Sequence, residues 1–374
     1  MRCEASRSEN PRRTTRYGEG LSDEDNEADR NIHQAQRRSL VMTEYGDYTP
    51  APHWQGHDFG SARKQYIDVN AGRGYATAKA QNVRASDLVP RTLSSAAPSI
   101  LVIDIDVTGS MDEWPATMFS KLPYMDHEVK MYLGKDTEIS WAATGDANSG
   151  SRARDDYPLQ VRQFAKDAAI KTELDKIIIE KGGGGQKKES YELSALYYAR
   201  NVSMPNVARK PVFIFIGDEA PYPFVDGSQA KEFAHCTLEG RLSTKVVFEE
   251  LKRKFSVYLI RKPYEAGSRD EKSAVDKIIH AAWAELLGED HIADLPEPGR
   301  VVDVIFGILA QETGQNQYFQ EELVGRQTPE QIAVVNKSLL TIHKSLRGSE
   351  PKQLPGASIL HTPDVAKKPK SLLS

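Results

Sequence analysis

Residues 99–111 read Ser-Ile-Leu-Val-Ile-Asp-Ile-Asp-Val-Thr-Gly-Ser-Met. The first part is a nearly unbroken apolar run, the pattern of a strand covered on both faces of a sheet rather than one with a wet face. It ends abruptly in a carboxylate, two hydroxyls and a glycine, so the strand stops in a tight polar loop. A strand covered on both faces needs helices above and below it. Further strand-like runs at 138–143, 159–164, 212–216, 256–260 and 291–295 alternate with helical stretches at 114–133, 166–180, 189–201, 244–255, 271–287 and 301–312. This alternation predicts an α/β fold with an open, mostly parallel sheet and helices on both faces. The runs at 138–143 and 159–164 follow one another closely and predict a hairpin, hence one antiparallel edge strand.

The flanks have a different texture. Residues 1–41 are poor in large apolar residues, and the stretch Leu-Ser-Asp-Glu-Asp-Asn-Glu-Ala-Asp-Arg at 21–30 is polar almost throughout. They read as a disordered extension, or as a non-native one ahead of a start at Met42, with Arg38-Ser39 encoded by a ribosome-binding sequence. Residues 42–98 form an aromatic and polar lead-in expected to wrap over the domain at 99–315. A helical segment at 316–347 follows, with a capped helix opening at Thr328-Pro329-Glu330-Gln331. The Pro-, Lys- and Ser-rich stretch at 348–374 reads as a disordered tail.

A net charge of −4 on 374 residues gives no basic field for nucleic acid. The apolar run at 301–310 is interrupted by Asp303 and is too short to span a bilayer. Residues 1–20 have no apolar stretch of the kind a signal peptide carries. Cys3 and Cys236 are far apart and form no metal-binding pair, which fits a reducing compartment, so a cytoplasmic protein is expected.

Three loops carry the chemistry. Asp106, Thr108 and Ser110 follow the first strand directly, where open α/β sheets collect ligands. A carboxylate and two hydroxyls at alternating positions are hard oxygen donors, suited to Mg²⁺ or Mn²⁺ rather than zinc. A glycine loop, Lys181-Gly-Gly-Gly-Gly-Gln-Lys-Lys-Glu189-Ser190, opens the helix that continues Tyr191-Glu-Leu-Ser-Ala195-Leu196. The run at 212–216 ends in Gly217-Asp218-Glu219.

These three loops, in this order, resemble the metal-ion-dependent adhesion site (MIDAS) of von Willebrand factor type A (VWA) domains. The resemblance covers residues 99–315 and implies that family's Rossmann-like fold. It implies Thr108 and Ser110 as direct metal ligands, with Asp106 binding directly or through water and Asp218 usually through water. Ser190 stands five and six residues before Ala195-Leu196, in the place of the family's usual threonine. Asp146, Glu189 and Glu219 are additional candidates near the metal; Glu219 reads first as a solvated acid. The family's chemistry then implies a non-enzymatic module that grips a carboxylate on a partner protein. Stand-alone bacterial and phage-like members suggest assembly or scaffolding, beside an ATPase or a larger complex.

Asp104 departs from that pattern, because the family has an aliphatic residue inside its first strand. Asp104-Ile-Asp106-Val-Thr108 also resembles the D-x-D-x-T motif of Mg²⁺-dependent haloacid dehalogenase-like phosphatases, with Asp104 as nucleophile and Asp106 as general acid/base. Against that reading, Gly-Ser-Met follows the motif and no second Asp stands close to Asp218. The plainer readings are capping turns for Asp106–Ser110 and for Ser190. The run Gly-Gly-Gly-Gly-Gln-Lys-Lys misses phosphate-loop spacing. His53 and His57 lack further zinc ligands nearby. His235-Cys236 reads as ordinary surface or core, and Lys252-Arg253-Lys254 as the solvated face of a helix.

Overall fold

The computed structural model describes residues 75–111, 114–115, 125–148, 157–179, 187–264 and 268–344. The two terminal extensions, His53, His57, the glycine loop at 181–186 and the middle of the expected 114–133 helix lie outside the described residues.

The main sheet comprises β1 (Ser99–Asp106), β2 (Thr137–Thr144), β3 (Leu159–Val161), β4 (Val212–Gly217), β5 (Ser256–Arg261) and β6 (Ile292–Asp294), in the spatial order β6-β5-β4-β1-β2-β3. All pairings are parallel except β2 with β3, where Ala142 faces Val161 and Thr144 faces Leu159. The expected open α/β sheet with one antiparallel edge strand is the observed one. That edge strand is shorter than the expected 159–164; beyond it, Ala165 makes a single antiparallel bridge to Ile139.

Beyond a short helix at Tyr75–Ala80 that precedes the sheet, the helices are α1 (Met125–Leu133), α2 (Ala168–Leu174), α3 (Tyr191–Arg200), α4 (Gly227–Phe233), α5 (Thr244–Lys254), α6 (Arg269–Leu287), α7 (Val301–Thr313), α8 (Asn316–Arg326), α9 (Pro329–Ser338) and α10 (Leu340–Lys344). Every residue of β1 is buried. Its alternation splits the core as a two-sided strand must. Leu101, Ile103 and Ile105 face a cluster with Val129 of α1 and Val304 and Ile308 of α7. Ile100 and Val102 face the opposite cluster with Leu196 of α3, Phe248 of α5 and Trp283 of α6. Phe319, Leu323, Val335 and Leu339 join the first cluster, so the C-terminal helices share the core of the sheet. Of the lead-in, Leu93 and Ser94 pair with Val202 and Ser203, and Val89 and Leu93 are buried against the domain.

Several expected elements change. The helix expected at 166–180 runs only over α2, and Ile177, Ile178 and Ile179 beyond it are buried without being helical. The helix expected from 189 starts at Tyr191, because Lys188 and Glu189 pair as a strand with Ala220 and Pro221. Lys252 and Lys254 are not simply solvated: their amines donate to the backbone oxygens of Leu286 and Val202. Ser268 and Thr328 each close a capping box, at α6 and α9.

Strand order places the site. The chain leaves β1 for β2 and β3 on one side, then returns to β4 on the other. The crevice between the carboxyl ends of β1 and β4 is thus a topological switch point, where ligands of open α/β sheets bind. Ile105 stands level with Ile216 in the sheet, so the loops after Asp106 and Gly217 leave side by side.

Candidate metal centre

Four of the expected residues meet in that crevice. Asp106 is fully buried. Its Oδ1 accepts from the Thr108 backbone N–H at 2.9 Å and from the Thr108 hydroxyl at 2.6 Å. The Ser110 hydroxyl donates to Asp218 Oδ1 at 2.9 Å. Thr108 Oγ1 and Ser110 Oγ lie 3.2 Å apart. Each hydroxyl lies within hydrogen-bond distance of a carboxylate, and with both protons given to those carboxylates the lone pairs of the two oxygens face a third party. Loop and strand are short-range neighbours in sequence, but Asp218 arrives from 108 residues away.

The electrostatics are those of crowded anions. Burial raises the Asp106 carboxyl above its ordinary range, and the nearby Asp218 charge adds to the rise. Burial also raises Asp218, against the pull of Lys262. Glu219, expected as a solvated acid, is buried instead. It is pushed up to about 8, first by burial and then by the charges of Asp218, Asp106 and Asp146. Anions held this close out of water call for a positive charge. Among the described residues, no three His, Cys, Asp or Glu side chains are grouped as a metal cage. A cation here would therefore rest on the Asp106–Asp218 pair and on hydroxyls.

The hydroxyl spacing fits one. In an octahedral site with bonds of about 2.1 Å, adjacent ligands stand about 3 Å apart. The 3.2 Å between Thr108 Oγ1 and Ser110 Oγ is close to that edge. The donors are all hard oxygens, which suits Mg²⁺ or Mn²⁺.

Ser190 is fully buried, one residue before α3. It does not cap that helix through its side chain. Its Oγ accepts instead from the Ala147 N–H at 2.9 Å, and its own N–H donates to the Gly145 oxygen. Ser190 is thereby tied to the turn that carries Asp146. Asp146 is buried, with Oδ1 accepting from the Asn148 N–H at 2.7 Å. Glu189 is buried in the short strand pair with Pro221.

Asp104 lies on the same face of β1 as Asp106, two residues deeper and fully buried. The Thr144 hydroxyl stands 3.0 Å from each of its oxygens. Burial pushes it up to about 6, moderated by Ser194 and Thr144. His235 Nε2 contacts the Val89 oxygen at 2.9 Å, and Cys236 is buried beside Asn201, which gives both a packing role.

Two residues of the site escape sequence reasoning. The Tyr191 hydroxyl donates to Asp106 Oδ2 at 2.7 Å. The Lys262 amine donates to the Ser110 backbone oxygen at 2.6 Å and stands 4.0 Å from Asp218 Oδ2. An aromatic at a helix start reads as core, and a lysine after a strand reads as surface; only the sheet's strand order brings either to the crevice.

No family model matches the sequence, and no curated protein matches it. Among solved structures, the chain is similar to the pilus adhesin SpaC from Lactobacillus rhamnosus GG, with 11% identity and a TM-score of 0.42 over 62% of this chain and 32% of that one. The open conformation of SpaC gives 9% identity and a TM-score of 0.41, over 59% of this chain and 31% of that one. The chain thus spans about a third of the length of the structures it resembles.

Proposed function

We propose that this protein is a VWA-type binding module that holds one Mg²⁺ or Mn²⁺ ion in the crevice between β1 and β4. Thr108 and Ser110 bind the ion directly. Asp106 and Asp218 balance its charge, directly or through water, and Ser190 contributes from the second loop. The observation that carries the reading is the run of polar contacts Asp106–Thr108–Ser110–Asp218, in which each hydroxyl lies within hydrogen-bond distance of a carboxylate and the two hydroxyl oxygens stand at the spacing of adjacent ligands.

The bound ion supplies an incompletely neutralised positive charge at an open coordination position. Asp106 and Asp218 orient the two hydroxyls, and the buried walls keep water from screening the contact. A partner protein offering an Asp or Glu carboxylate fills that position, in the assembly or scaffolding of a complex. A cytoplasmic setting, with an ATPase or a larger complex as partner, rests on the family resemblance alone. Among the described residues no helix is long and apolar enough to cross a membrane.

Phosphoryl transfer by a haloacid dehalogenase-like mechanism is the competing reading, and the position of Asp104 weighs against it. A nucleophilic carboxylate must present an oxygen to the substrate, whereas Asp104 is sealed inside the sheet with Thr144 bridging both its oxygens. Calorimetric titration of Mg²⁺ into wild type, Asp106→Ala and Asp104→Ala, with a phosphate ester assayed in parallel, separates the two. The module binds metal in wild type and in Asp104→Ala, loses it in Asp106→Ala, and turns over no ester. Ester turnover that vanishes with Asp104→Ala would make the protein a phosphatase.

A further inference from the structure

Tyr191 occupies an unusual place for an aromatic residue. It is the first residue of α3 and is fully buried, yet its hydroxyl reaches across the end of β4 to Asp106. That path is open only because residue 217 is glycine: a Cβ there would stand 1.8 Å from the Tyr191 oxygen. The ring packs edge-on against Trp283 of α6, with centroids 5.1 Å apart. Trp283 is fully buried too, and its indole N–H donates to the Glu219 backbone oxygen at 2.8 Å. The two aromatics therefore hold one polar atom at the last residue of β1 and one in the loop that follows β4.

We infer that Tyr191 and Trp283 form a clamp that sets the geometry of the metal centre, with Tyr191 the positioning residue for Asp106; this rests on the metal-binding reading above. A carboxylate with only one oxygen held can rotate about its Cβ–Cγ bond. Thr108 fixes Oδ1 and Tyr191 fixes Oδ2, so the Asp106 plane is locked. A locked Asp106 keeps the Thr108 proton pointed inward and the Thr108 lone pairs pointed at the ion. Trp283 does the corresponding work on the second loop, holding the backbone one residue past Asp218. Such outer contacts orient metal-site groups without touching the ion. Gly217, between the two loops, is the space that lets the clamp close.

The test compares Mg²⁺ and Mn²⁺ affinity in wild type, Tyr191→Phe and Trp283→Phe by calorimetry. Tyrosine absorption is followed as metal is added. The Tyr191→Phe variant keeps the ring and its packing but lacks the hydroxyl, and it binds either ion on the order of 10- to 100-fold more weakly, the range of a hydrogen bond to a charged group. Wild type shows a metal-induced tyrosine difference spectrum that Tyr191→Phe lacks, which assigns the change to this one ring at the site. Should the loss of the hydroxyl unfold the chain, Trp283→Phe carries the test, with weaker metal binding expected. Full affinity in a folded Tyr191→Phe, or in Trp283→Phe if the former is unfolded, overturns the clamp and leaves the metal module standing. A wild-type chain that binds neither ion overturns both.

Discussion

Replacing Gly217 by alanine tests the packing beneath the site without reference to any ligand. The added Cβ would lie 1.8 Å from the Tyr191 hydroxyl oxygen and 2.7 Å from its ring carbon Cζ. Neither partner has an easy retreat. Gly217 ends a buried strand paired on the β5 side through Arg261, and the Tyr191 ring is wedged against Phe215 and Trp283. Overpacking of this kind costs about 1–3 kcal/mol. Pushing the hydroxyl away also strips a hydrogen bond from the buried Asp106 carboxylate, about 1–3 kcal/mol more. The sum, about 2–6 kcal/mol, lowers the melting temperature of a domain this size by roughly 5–20 °C. Thermal unfolding followed by circular dichroism reads it directly. Gly325→Ala is the control: nothing lies within 4 Å of its Cβ position in α8, so it should be neutral or stabilising by up to about 1 kcal/mol. Combining Gly217→Ala with Tyr191→Phe removes the 1.8 Å contact but keeps the ring carbon, so it should recover part of the loss. A Gly217→Ala protein that melts within a degree or so of wild type would refute the close approach of Tyr191 to β4.

Two further outcomes follow from charges elsewhere in the fold. Arg200 donates to both oxygens of Glu250, joining α3 to α5, and that hydrogen bonding holds the Glu250 carboxyl below its ordinary 4.5. An acid lowered in the folded state stabilises above its unfolded pKa and loses that contribution as pH falls through the folded value. The urea midpoint of Glu250→Gln should therefore lie below wild type near neutrality and converge on it in acid; a gap unchanged from about pH 7 to about pH 3 would contradict this. Arg326 is buried among Glu128 at 3.4 Å, Glu322 at 3.7 Å and Asp303 at 3.9 Å. Arg326→Met leaves the buried Glu128 carboxylate without this cation, while Asp303 keeps Arg300 at 4.0 Å, and should cost about 3–5 kcal/mol in denaturant unfolding; a loss under about 1 kcal/mol would show that Glu128 finds another partner.

What the sequence disclosed and withheld divides along local and non-local lines. Of the six main strands, β1, β4 and β5 are readable as compact apolar runs and β2, β3 and β6 as shorter apolar stretches broken by polar residues, and β1 announces its two-sided burial by having no polar alternation before Asp104. The edge pairing of β2 and β3 is readable from the short connection between them. The extent of α2 is not, because the apolar triplet at 177–179 extends a helical pattern that the chain has already left. The start of α3 is misplaced because Glu189 pairs with a strand from a distant loop, an interaction without local signal. At the site, Asp106, Thr108 and Ser110 are neighbours in sequence and easily grouped, and Asp218 is found from its place after a strand. Tyr191 and Lys262 depend on strand order and on the space at Gly217, neither of which periodicity reveals. Glu219 reads as solvated because a lone acid in a loop usually is, whereas here the third loop folds back under Trp283.

The proposed function requires a divalent ion held on hydroxyl oxygens in the crevice between β1 and β4. Anomalous diffraction from crystals soaked in Mn²⁺ locates such an ion without any assumption about partner or activity. One strong peak is expected within bonding distance of both Thr108 Oγ1 and Ser110 Oγ, adjacent to Asp106 and Asp218, and no such peak in Asp106→Ala crystals. No peak in the wild-type crevice, or a Mn²⁺ ion bound at Asp104 in its place, would contradict it.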